Sequence, residues 1–382
     1  MRAAKRLALL STLAALIAPG AAHAAAPPEF FGVVSQAGLA DEDFPRMAEN
    51  GVGIMRVQLS WKKVQPQEGD CEADDGLPID PPVPVVPACD WTYYDRIFGG
   101  AAAAGVELMP YLLNVPQWVS EQENAPPIRA QADRDAWTAW LQAAVRRYGP
   151  DGSFWTEEYP ELHPGAAPLP IRRWQVWNEP SDGTFWHPRP DAAEYGDLVE
   201  LTSTSIRAVD PSAEIILAGV FGTPTEENGG IDAKPYLRAL FKSQDLGPDF
   251  TSLGLHPYGP TLKRSMGQIK TARKVFKRAG FADRKLWITE LGWASGGSHP
   301  QLSKTPAKQA SLLTAAYDKL ERKRAKWGIA GVTWFAWQDT AEKNVCAFCA
   351  DVGLVTVGRE AKPALGAYRA VASTDERPSS PR

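Results

Sequence analysis

Eight short apolar segments alternate with longer amphipathic segments along the chain. The apolar segments, many rich in β-branched or aromatic residues, are Phe30–Ser35, Gly53–Leu59, Val106–Leu113, Ile171–Trp177, Glu214–Gly219, Phe250–His256, Leu286–Glu290 and Gly331–Trp337. The segments with helical periodicity are Asp41–Asn50, Trp91–Ala104, Asp133–Tyr148, Asp191–Val209, Lys234–Lys242, Arg264–Arg278, Thr305–Lys326 and Pro363–Val371. Apolar strands that alternate with helices are typical of a parallel sheet covered on both faces.

The number and spacing of these units predict the architecture. Eight strand–helix units within about 345 residues fit a (β/α)8 barrel, which usually takes ~200 to over 400 residues. The alternative is a doubly wound open sheet. Its nucleotide-binding version needs a glycine-rich turn after the first strand, but the chain reads Gln-Ala-Gly-Leu-Ala there, and it has no P-loop motif. The sequence therefore predicts an α/β protein with a single (β/α)8 TIM-barrel domain.

The two ends of the chain differ from this central pattern. Basic residues precede an apolar run over Leu7–Ala18, and the small residues Ala22 and Ala24 follow a Pro-Gly break. This order predicts a signal peptide over residues 1–24, because a dozen apolar residues are too few to span a bilayer. We therefore expect a secreted protein with a barrel domain over residues 25–372. The polar, proline-rich residues 373–382 predict a disordered tail.

Four cysteines fit an oxidising compartment, although four cysteines allow three pairings. Cys71 and Cys89 bracket a proline-rich stretch without strand or helix pattern, and Cys346 and Cys349 form a C-x-x-C motif. A redox motif would need a thioredoxin-like context, and a zinc site would need a second ligand pair. We predict structural disulfides between Cys71 and Cys89 and between Cys346 and Cys349.

Charge and composition narrow the choice of ligands. The chain of 382 residues has 41 basic and 45 acidic residues, so its mild negative charge predicts no nucleic-acid partner and no membrane insertion. Its 14 tryptophans suit stacking on sugars or filling large cores, whereas its five scattered histidines argue against a dedicated metal enzyme. We expect a monomer with no metal and no cofactor.

Carboxylates end two of the predicted strands. Glu179 ends the fourth strand segment and Glu290 ends the seventh, in the sequences Trp-Asn-Glu-Pro and Thr-Glu-Leu-Gly-Trp. The active site of a (β/α)8 barrel lies at the carboxyl ends of the strands, so these two side chains should face each other there. Glycosidic-bond hydrolysis needs such a pair, one to protonate the leaving oxygen and one to attack or to activate water.

At these residues the chain resembles the clan A glycoside hydrolases, which are retaining β-glycosidases on a (β/α)8 barrel. The second-strand region from Arg56 through Trp61 to Gly69, the triplet His256-Pro257-Tyr258 and the pair Trp334 and Trp337 are also similar to that clan. Family 39 is the nearest in character, with family 5 a near neighbour. The likeness extends from Phe30 to about Tyr368.

The resemblance implies a role for each matching residue. Glu179 would be the general acid/base and Glu290 the nucleophile. Asn178 would bind the sugar 2-hydroxyl, and Tyr258 would bind the nucleophile. Arg56 would keep Glu290 ionised, His256 would help to hold the site, and Trp337 would be the sugar platform. The Cys71–Cys89 insert is a departure from the clan.

Two tryptophans and two loops are further candidates for substrate contact. Trp61 and Trp118 are expected in outer subsites, and the Cys71–Cys89 and Asp151–Pro170 loops are expected to shape the cleft. The sequence thus predicts a secreted retaining β-glycosidase acting on a polysaccharide or oligosaccharide. The alternative is a carbohydrate-binding barrel without turnover. A metal-dependent hydrolase would need several histidine or aspartate ligands at the strand ends.

Overall fold

The computed structural model describes residues 25–71, 88–222, 224, 229–342, 346 and 348–373. The predicted signal peptide lies outside these ranges. The predicted disordered tail also lies outside them, apart from Ser373.

Eight parallel strands form a closed barrel in sequence order, which the pairing of the last strand with the first completes. The strands are β1 (Phe31–Val34), β2 (Ile54–Ser60), β3 (Glu107–Leu113), β4 (Arg173–Val176), β5 (Glu214–Phe221), β6 (Ser252–His256), β7 (Lys285–Leu291) and β8 (Ile329–Phe335). The predicted (β/α)8 TIM barrel is confirmed. The predicted strand segments differ from the observed strands mainly by one to three residues at their ends.

Helices connect the strands on the outside of the barrel. They are α1 (Asp43–Glu49), α2 (Trp61–Val64), α3 (Thr92–Ala103), α4 (Gln131–Tyr148), α5 (Tyr159–Leu162), α6 (Ala192–Arg207), α7 (Ala233–Ser243), α8 (Leu262–Arg278), α9 (Pro306–Trp327) and α10 (Pro363–Ala372). The two short helices α2 and α5 were not predicted. None of the helices in the described ranges has both the length and the apolar character that crossing a membrane requires.

Helix α9 shows how local sequence sets an element. The Thr305 hydroxyl accepts a hydrogen bond from the amide of Lys308, and Pro306 occupies the first helical position, where its missing N–H costs nothing. The helix ends at Gly328, whose φ of 63° lies in the left-handed region that glycine adopts without strain. These signals agree with the apolar periodicity, so the helix was predicted almost to its ends.

The barrel interior changes from apolar to polar towards the carboxyl ends of the strands. Ile54, Met109, Ile216 and Trp287 fill the lower interior and are at most 3% exposed. Side chains two residues apart on a strand point to the same face, so Arg56 follows Ile54 into the barrel and Tyr111 follows Met109. The strands thus place a polar layer directly above a sealed apolar floor.

Both predicted disulfides are present. Cys71 and Cys89 are joined across the connection from β2 to α3, and Cys346 and Cys349 are joined in the segment after β8. Residues 72–87, between the first pair, lie outside the described ranges. The first disulfide therefore ties a connection that leaves the carboxyl end of a strand, which is the end where barrel active sites lie.

The Asp151–Pro170 segment does not shape the cleft, and this prediction was wrong. It joins α4 to β4 and therefore lies at the amino-terminal end of the strands, away from the carboxyl ends that form the site. Its end is fixed there by a hydrogen bond of 2.8 Å from the Ile171 amide to the Tyr148 carbonyl oxygen. Sequence order alone was enough to make this distinction once the strands were assigned.

Candidate active site

A buried arginine organises the carboxyl end of the barrel. Arg56 is fully buried on β2, and its three guanidinium nitrogens donate to Glu290 Oε1 at 2.7 Å, Asn178 Oδ1 at 2.7 Å and Gln175 Oε1 at 2.6 Å. The guanidinium carbon lies 4.0 Å from the centre of the Tyr111 ring. An unpaired buried charge would be costly, so these partners fix both the arginine and the groups that it binds.

Glu290 receives hydrogen bonds on both carboxylate oxygens. Besides the Arg56 bond to Oε1, the Tyr258 hydroxyl donates to Oε2 at 2.7 Å. Burial raises the pKa of Glu290, whereas the charge of Arg56 and the hydrogen bonds from Tyr258 and Arg56 act in the opposite direction. Donors to a carboxylate favour its charged form. The neighbours of Glu290 therefore stabilise an ionised side chain.

Glu179 has different surroundings. Its Oε1 atom lies 2.6 Å from His256 Nδ1, and burial together with the charges of Glu290 and Asp182 raises its pKa well above the ordinary value. Burial and the Arg56 charge lower the pKa of His256 well below its usual range, so the imidazole is neutral. When two close carboxyl groups share one proton, the proton resides where the charged form is less stabilised. Here that group is Glu179.

The two carboxyl groups are close together. One carboxylate oxygen of Glu179 and one of Glu290 lie within 4.8 Å of each other, and a ring nitrogen of His256 lies within the same distance of both. Carboxyl separations of about 5–5.5 Å characterise retaining glycosidases, whereas inverting enzymes need about 6.5–9.5 Å. The observed proximity fits direct attack by one carboxylate rather than attack by an interposed water.

The backbone around Glu179 adopts an uncommon conformation. Trp177 has a φ of 72° and Glu179 a φ of 41°, and positive values are rare for residues other than glycine. Such conformations persist where the surroundings hold them, and they cluster at functional sites. Here the Trp177 indole N–H donates to the Phe185 carbonyl oxygen at 2.6 Å, and the Asp182 amide donates to the Glu179 carbonyl oxygen at 2.8 Å.

A glycine on the neighbouring strand makes room for the histidine. A Cβ atom on Gly219 would lie only 1.8 Å from His256 Nε2, so no larger residue fits at this position of β5 without displacing the imidazole. The pairing of β5 with β6 is irregular between Leu217 and Val220, around this glycine. The strand register alone does not reveal this close approach, and the role of Gly219 was not predicted.

Six of the predicted site residues meet at this end of the barrel, namely Arg56, Asn178, Glu179, His256, Tyr258 and Glu290. Tyr111 and Gln175 join them but were not predicted. Tyr111 lies two residues beyond the inward-facing Met109 on β3, and Gln175 is its register partner on β4. Strand alternation and register are therefore the signals that identify them. The pKa of Tyr111 is raised by burial to about 12, so its hydroxyl stays protonated at neutral pH.

The structure contradicts the expected roles of two tryptophans. Trp337 and Trp61 have no exposed surface, whereas a sugar platform needs an open ring face. The Trp337 indole N–H instead donates to the buried carboxylate of Asp43 at 3.0 Å. Trp61 packs inside an aromatic cluster with Trp118 and with Trp137 and Trp140 of α4. Trp118 is partly exposed and stays a candidate for an outer subsite.

Three phenylalanines surround the tyrosine that binds Glu290. The ring centres of Phe348, Phe221 and Phe335 lie 5.1, 5.8 and 6.1 Å from that of Tyr258. Phe335 is the last residue of β8, and Phe348 lies between the two cysteines of the second disulfide. Phe335, rather than Trp337, is thus the aromatic residue at the end of β8 that packs near Tyr258, the partner of Glu290.

The cluster of Glu179, His256 and Glu290 also has the spacing of metal ligands. Both oxygens of Glu290, however, already accept hydrogen bonds from Arg56 and Tyr258. A metal ion here would also lie close to the Arg56 guanidinium, and like charges repel strongly at such separations. The donor set therefore fits a hydrogen-bonded carboxyl pair better than a metal centre.

Comparison with known proteins gives structural neighbours only. No protein-family model and no curated protein sequence matches the chain. Solved structures that resemble it include a family 39 glycoside hydrolase from Bacteroides cellulosilyticus WH2, with a TM-score of 0.60, 18% identity and coverage of 92% of this chain and 64% of that one. A monomeric β-xylosidase from Caulobacter crescentus CB15 gives a TM-score of 0.62 at 18% identity, covering 92% of this chain and 69% of that one.

Family 5 also provides a neighbour. A GH5_18 protein from Streptomyces cattleya, solved with GlcNAc, gives a TM-score of 0.57 at 16% identity, covering 89% of this chain and 75% of that one. The chain thus spans just under two thirds of the first family 39 structure named above. At these identities the likeness establishes the fold, and the resemblance to families 39 and 5 is confirmed at that level.

Proposed function

We propose that the protein is a secreted retaining β-glycosidase that cleaves a polysaccharide or oligosaccharide by double displacement. The observation that carries the proposal is the pair of unlike carboxyl groups, Glu179 and Glu290, with oxygens within 4.8 Å. Only one of them, Glu290, is bound by a guanidinium. A binding module without turnover needs neither the pair nor the difference between its members.

In the first step, a carboxylate oxygen of Glu290 attacks the anomeric carbon of the bound sugar. The bond from that carbon to the leaving oxygen breaks, and the proton of Glu179 passes to the leaving oxygen. The Arg56 and Tyr258 bonds hold Glu290 in position for the attack. The products of this step are a glycosyl ester on Glu290 and an ionised Glu179.

In the second step, Glu179 acts as a base. Esterification removes the negative charge of Glu290, so one of the causes that raise the pKa of Glu179 disappears. Glu179 then takes a proton from water while the water oxygen bonds to the anomeric carbon. Cleavage of the ester restores the Glu290 carboxylate, and Glu179 keeps the proton that it took from water for the next cycle. Two displacements at one carbon retain the anomeric configuration.

Three observations support the remaining parts of the proposal. The pattern of residues 1–24 and the two disulfides favour an oxidising location outside the cell. Arg56 holds Asn178 beside the carboxyl pair, which supports its proposed role in binding a sugar hydroxyl. The structural neighbours include proteins named as a β-xylosidase, a glucosidase and an exo-β-1,4-mannosidase, so aryl β-glycosides of these sugars form the first substrate panel.

The decisive experiment traps the glycosyl-enzyme. A 2-fluoro aryl glycoside of the best sugar in the panel should inactivate the protein, and mass spectrometry of a digest should locate the label on Glu290. Proton NMR of the first product should show the substrate's anomeric configuration. Labelling of another residue or an inverted product would overturn the mechanism. Sugar binding without turnover of any substrate would favour the carbohydrate-binding alternative.

A further inference from the structure

A row of three side-chain amides lies on the rim of the barrel beside the carboxyl pair. Gln58 Nε2 donates to Asn114 Oδ1, Asn114 Nδ2 donates to Asn124 Oδ1 at 3.1 Å, and Asn124 Nδ2 donates to the Thr184 carbonyl oxygen at 3.0 Å. None of the steps proposed above uses these residues. We call Gln58, Asn114 and Asn124 the amide row.

The amide row lies directly above the Arg56 layer. Gln58 is two residues beyond Arg56 on β2 and therefore faces the same interior, about 6.6 Å nearer the carboxyl end of the strand. Asn114 follows the last residue of β3, and Asn124 binds the loop that carries Glu179 through its bond to Thr184. The row thus extends along the rim from β2 to β4, on the side where Asn178 lies.

The backbone at the centre of the row suits its residue type. Asn114 has a φ of 60°, in the left-handed region that asparagine and glycine adopt most readily. Its side chain accepts one amide bond and donates another, so it sets the positions of both neighbours. The three side chains are all partly exposed. A rigid, pre-oriented row of this kind loses little conformational entropy when it binds a ligand.

The row has hydrogen-bonding capacity left for a ligand. Each amide has two N–H donors, and the bonds within the described part of the chain use one of them on each residue. They also leave the carbonyl oxygen of Gln58 without a donor. Neutral amides in this arrangement offer donors and an acceptor together, which is what sugar hydroxyls need, since a hydroxyl both donates and accepts.

The charges next to the row are already paired. Lys62 and Glu123 form an exposed ion pair of 3.1 Å, and the backbone amide of Lys62 donates to the carbonyl oxygen of Asn114. The Arg56 guanidinium, one layer below the row, has its three nitrogens bonded within the site. A carboxylate on the sugar would therefore lose its hydration beside the row without gaining a free cation.

We infer that the amide row binds the hydroxyls of a neutral sugar residue, namely the one whose anomeric carbon meets Glu290, and that it selects against uronic acids. This inference rests on the proposed function, because the sugar is placed by the attack of Glu290. Gln58 lies only two residues from Arg56, which holds the Glu290 carboxylate. A single sugar ring can therefore reach both the row and Glu290. The row contacts hydroxyls other than the 2-hydroxyl, which falls to Asn178.

The test pairs changes in the protein with changes in the sugar. Asn114→Gly keeps the left-handed backbone and removes the amide, and Gln58→Met keeps the length of the side chain. With the parent aryl glycoside, each variant should lower kcat/KM by about tenfold, the scale of a lost hydrogen bond. Monodeoxy glycosides lacking one hydroxyl other than the 2-hydroxyl should lose a similar factor with the wild type. In the variants, removing the hydroxyl that the row binds should lower kcat/KM no further.

Controls separate this inference from the proposed function. Gln131→Met removes an exposed amide on α4 that bonds only to Asp135 within the described ranges, and it should leave kcat/KM unchanged. The aryl β-glucuronide should be a far poorer substrate than the aryl β-glucoside. Two results would show that the inference is wrong while the proposed function stands, provided that the wild type cleaves glycosides. In the first, the row variants have the kcat/KM of the wild type. In the second, the loss from each deoxy sugar is the same in the variants as in the wild type.

A binding measurement tests the amide row even if the protein cleaves none of the glycosides. Calorimetry with the Glu290→Gln protein gives the affinity for the free sugar, and adding Asn114→Gly should weaken it about tenfold. Unchanged affinity would overturn the role of the row even if the protein cleaves nothing. Loss of the fold is checked by comparing thermal unfolding of each variant with the wild type.

Discussion

The surroundings of Glu290 and Glu179 differ although the two carboxyl groups are within 4.8 Å of each other. A guanidinium and a phenol hydroxyl each donate to one oxygen of Glu290. Glu179 has a neutral imidazole as its partner and a second carboxylate, Asp182, nearby. Neighbours on other elements, chiefly β2 and β6, thus give two residues of the same type opposite electrostatic surroundings. The difference between the two glutamates arises from the barrel around them and not from either residue alone.

The most severe way to remove this difference is to neutralise Glu290. Glu290→Gln keeps the shape of the side chain but eliminates the attacking carboxylate, and we expect kcat/KM to fall by about 10⁴- to 10⁶-fold, the range seen when a nucleophile is removed. Steady-state kinetics on an activated aryl glycoside measures this, and calorimetry should show that the sugar still binds.

The matched control is Glu161→Gln, which changes an exposed glutamate on α5 at the other end of the barrel. It should retain wild-type kinetics. Substantial residual activity in purified Glu290→Gln, free of wild-type contamination, would remove Glu290 from the role of nucleophile.

Neutralising Glu179 should have a smaller effect that depends on the leaving group. Glu179→Gln cannot donate a proton, so we expect losses of about 10²- to 10⁴-fold for substrates whose leaving oxygen needs protonation. An aryl glycoside with an acidic phenol should be cleaved at the first step with little loss, and its glycosyl-enzyme should accumulate as a burst of phenol. Equal losses for all leaving groups would contradict the acid role.

The raised pKa of Glu179 also predicts a difference between the pH profiles of the wild type and Glu179→Gln. The free acid is the active form, so in the wild type kcat/KM should fall as the pH rises through that pKa, which burial and the Glu290 charge place well above the ordinary range. This alkaline limb should be absent in Glu179→Gln. A limb that persists unchanged would belong to another group.

The sequence predicted the carboxyl pair because its position depends only on strand order. Once Glu179 and Glu290 were assigned to the ends of the fourth and seventh strands, the closed parallel barrel had to bring them to the same face. The resemblance to the clan A glycoside hydrolases placed Arg56 and Tyr258 near them. The alternation of strands and helices was regular enough to define that barrel without any long-range information.

Other parts of the site depend on geometry that no local pattern contains. The direction of the chain after β8 decides that Phe335 approaches the site while Trp337 turns towards Asp43, and both are aromatic residues in one short segment. Gly219 matters because of an imidazole on the next strand. The amide row joins side chains from β2 and from two positions of the connection after β3, which only the folded chain brings together.

Removing one of the two hydrogen bonds to Glu290 is a smaller change to its surroundings. Tyr258→Phe keeps the ring between its phenylalanine neighbours and deletes the hydroxyl that bonds Oε2 at 2.7 Å. A hydrogen bond to a charged group contributes about 1.5–3 kcal/mol, so kcat/KM should fall by about 10- to 100-fold. The bond lowers the pKa of Glu290, and its loss should move the acidic limb of the pH profile to higher pH.

The control for the hydroxyl is Tyr93→Phe, a partly exposed tyrosine on α3 whose ring contacts Lys63 rather than the site. It should leave both rate and pH profile unchanged. An acidic limb that stays in place in Tyr258→Phe would mean that Tyr258 does not tune Glu290, even if the rate falls.

The smallest expected effect is that of a chelator, which tests whether the charge difference between Glu179 and Glu290 matters. A cation held by Glu179, His256 and Glu290 would bring the two carboxylates to similar charge states and would compete with the hydrogen bonds from Arg56 and Tyr258 to Glu290, at the cost of repulsion between two positive groups. We therefore expect kcat/KM after dialysis against EDTA to stay within about twofold of its starting value, since a twofold change corresponds to less than about 0.5 kcal/mol. Activity lost to EDTA and restored by a divalent ion would show that the charge difference between the two glutamates does not drive the reaction. In that case the cluster would act as a metal centre, and Arg56 would be a structural partner of its ligands.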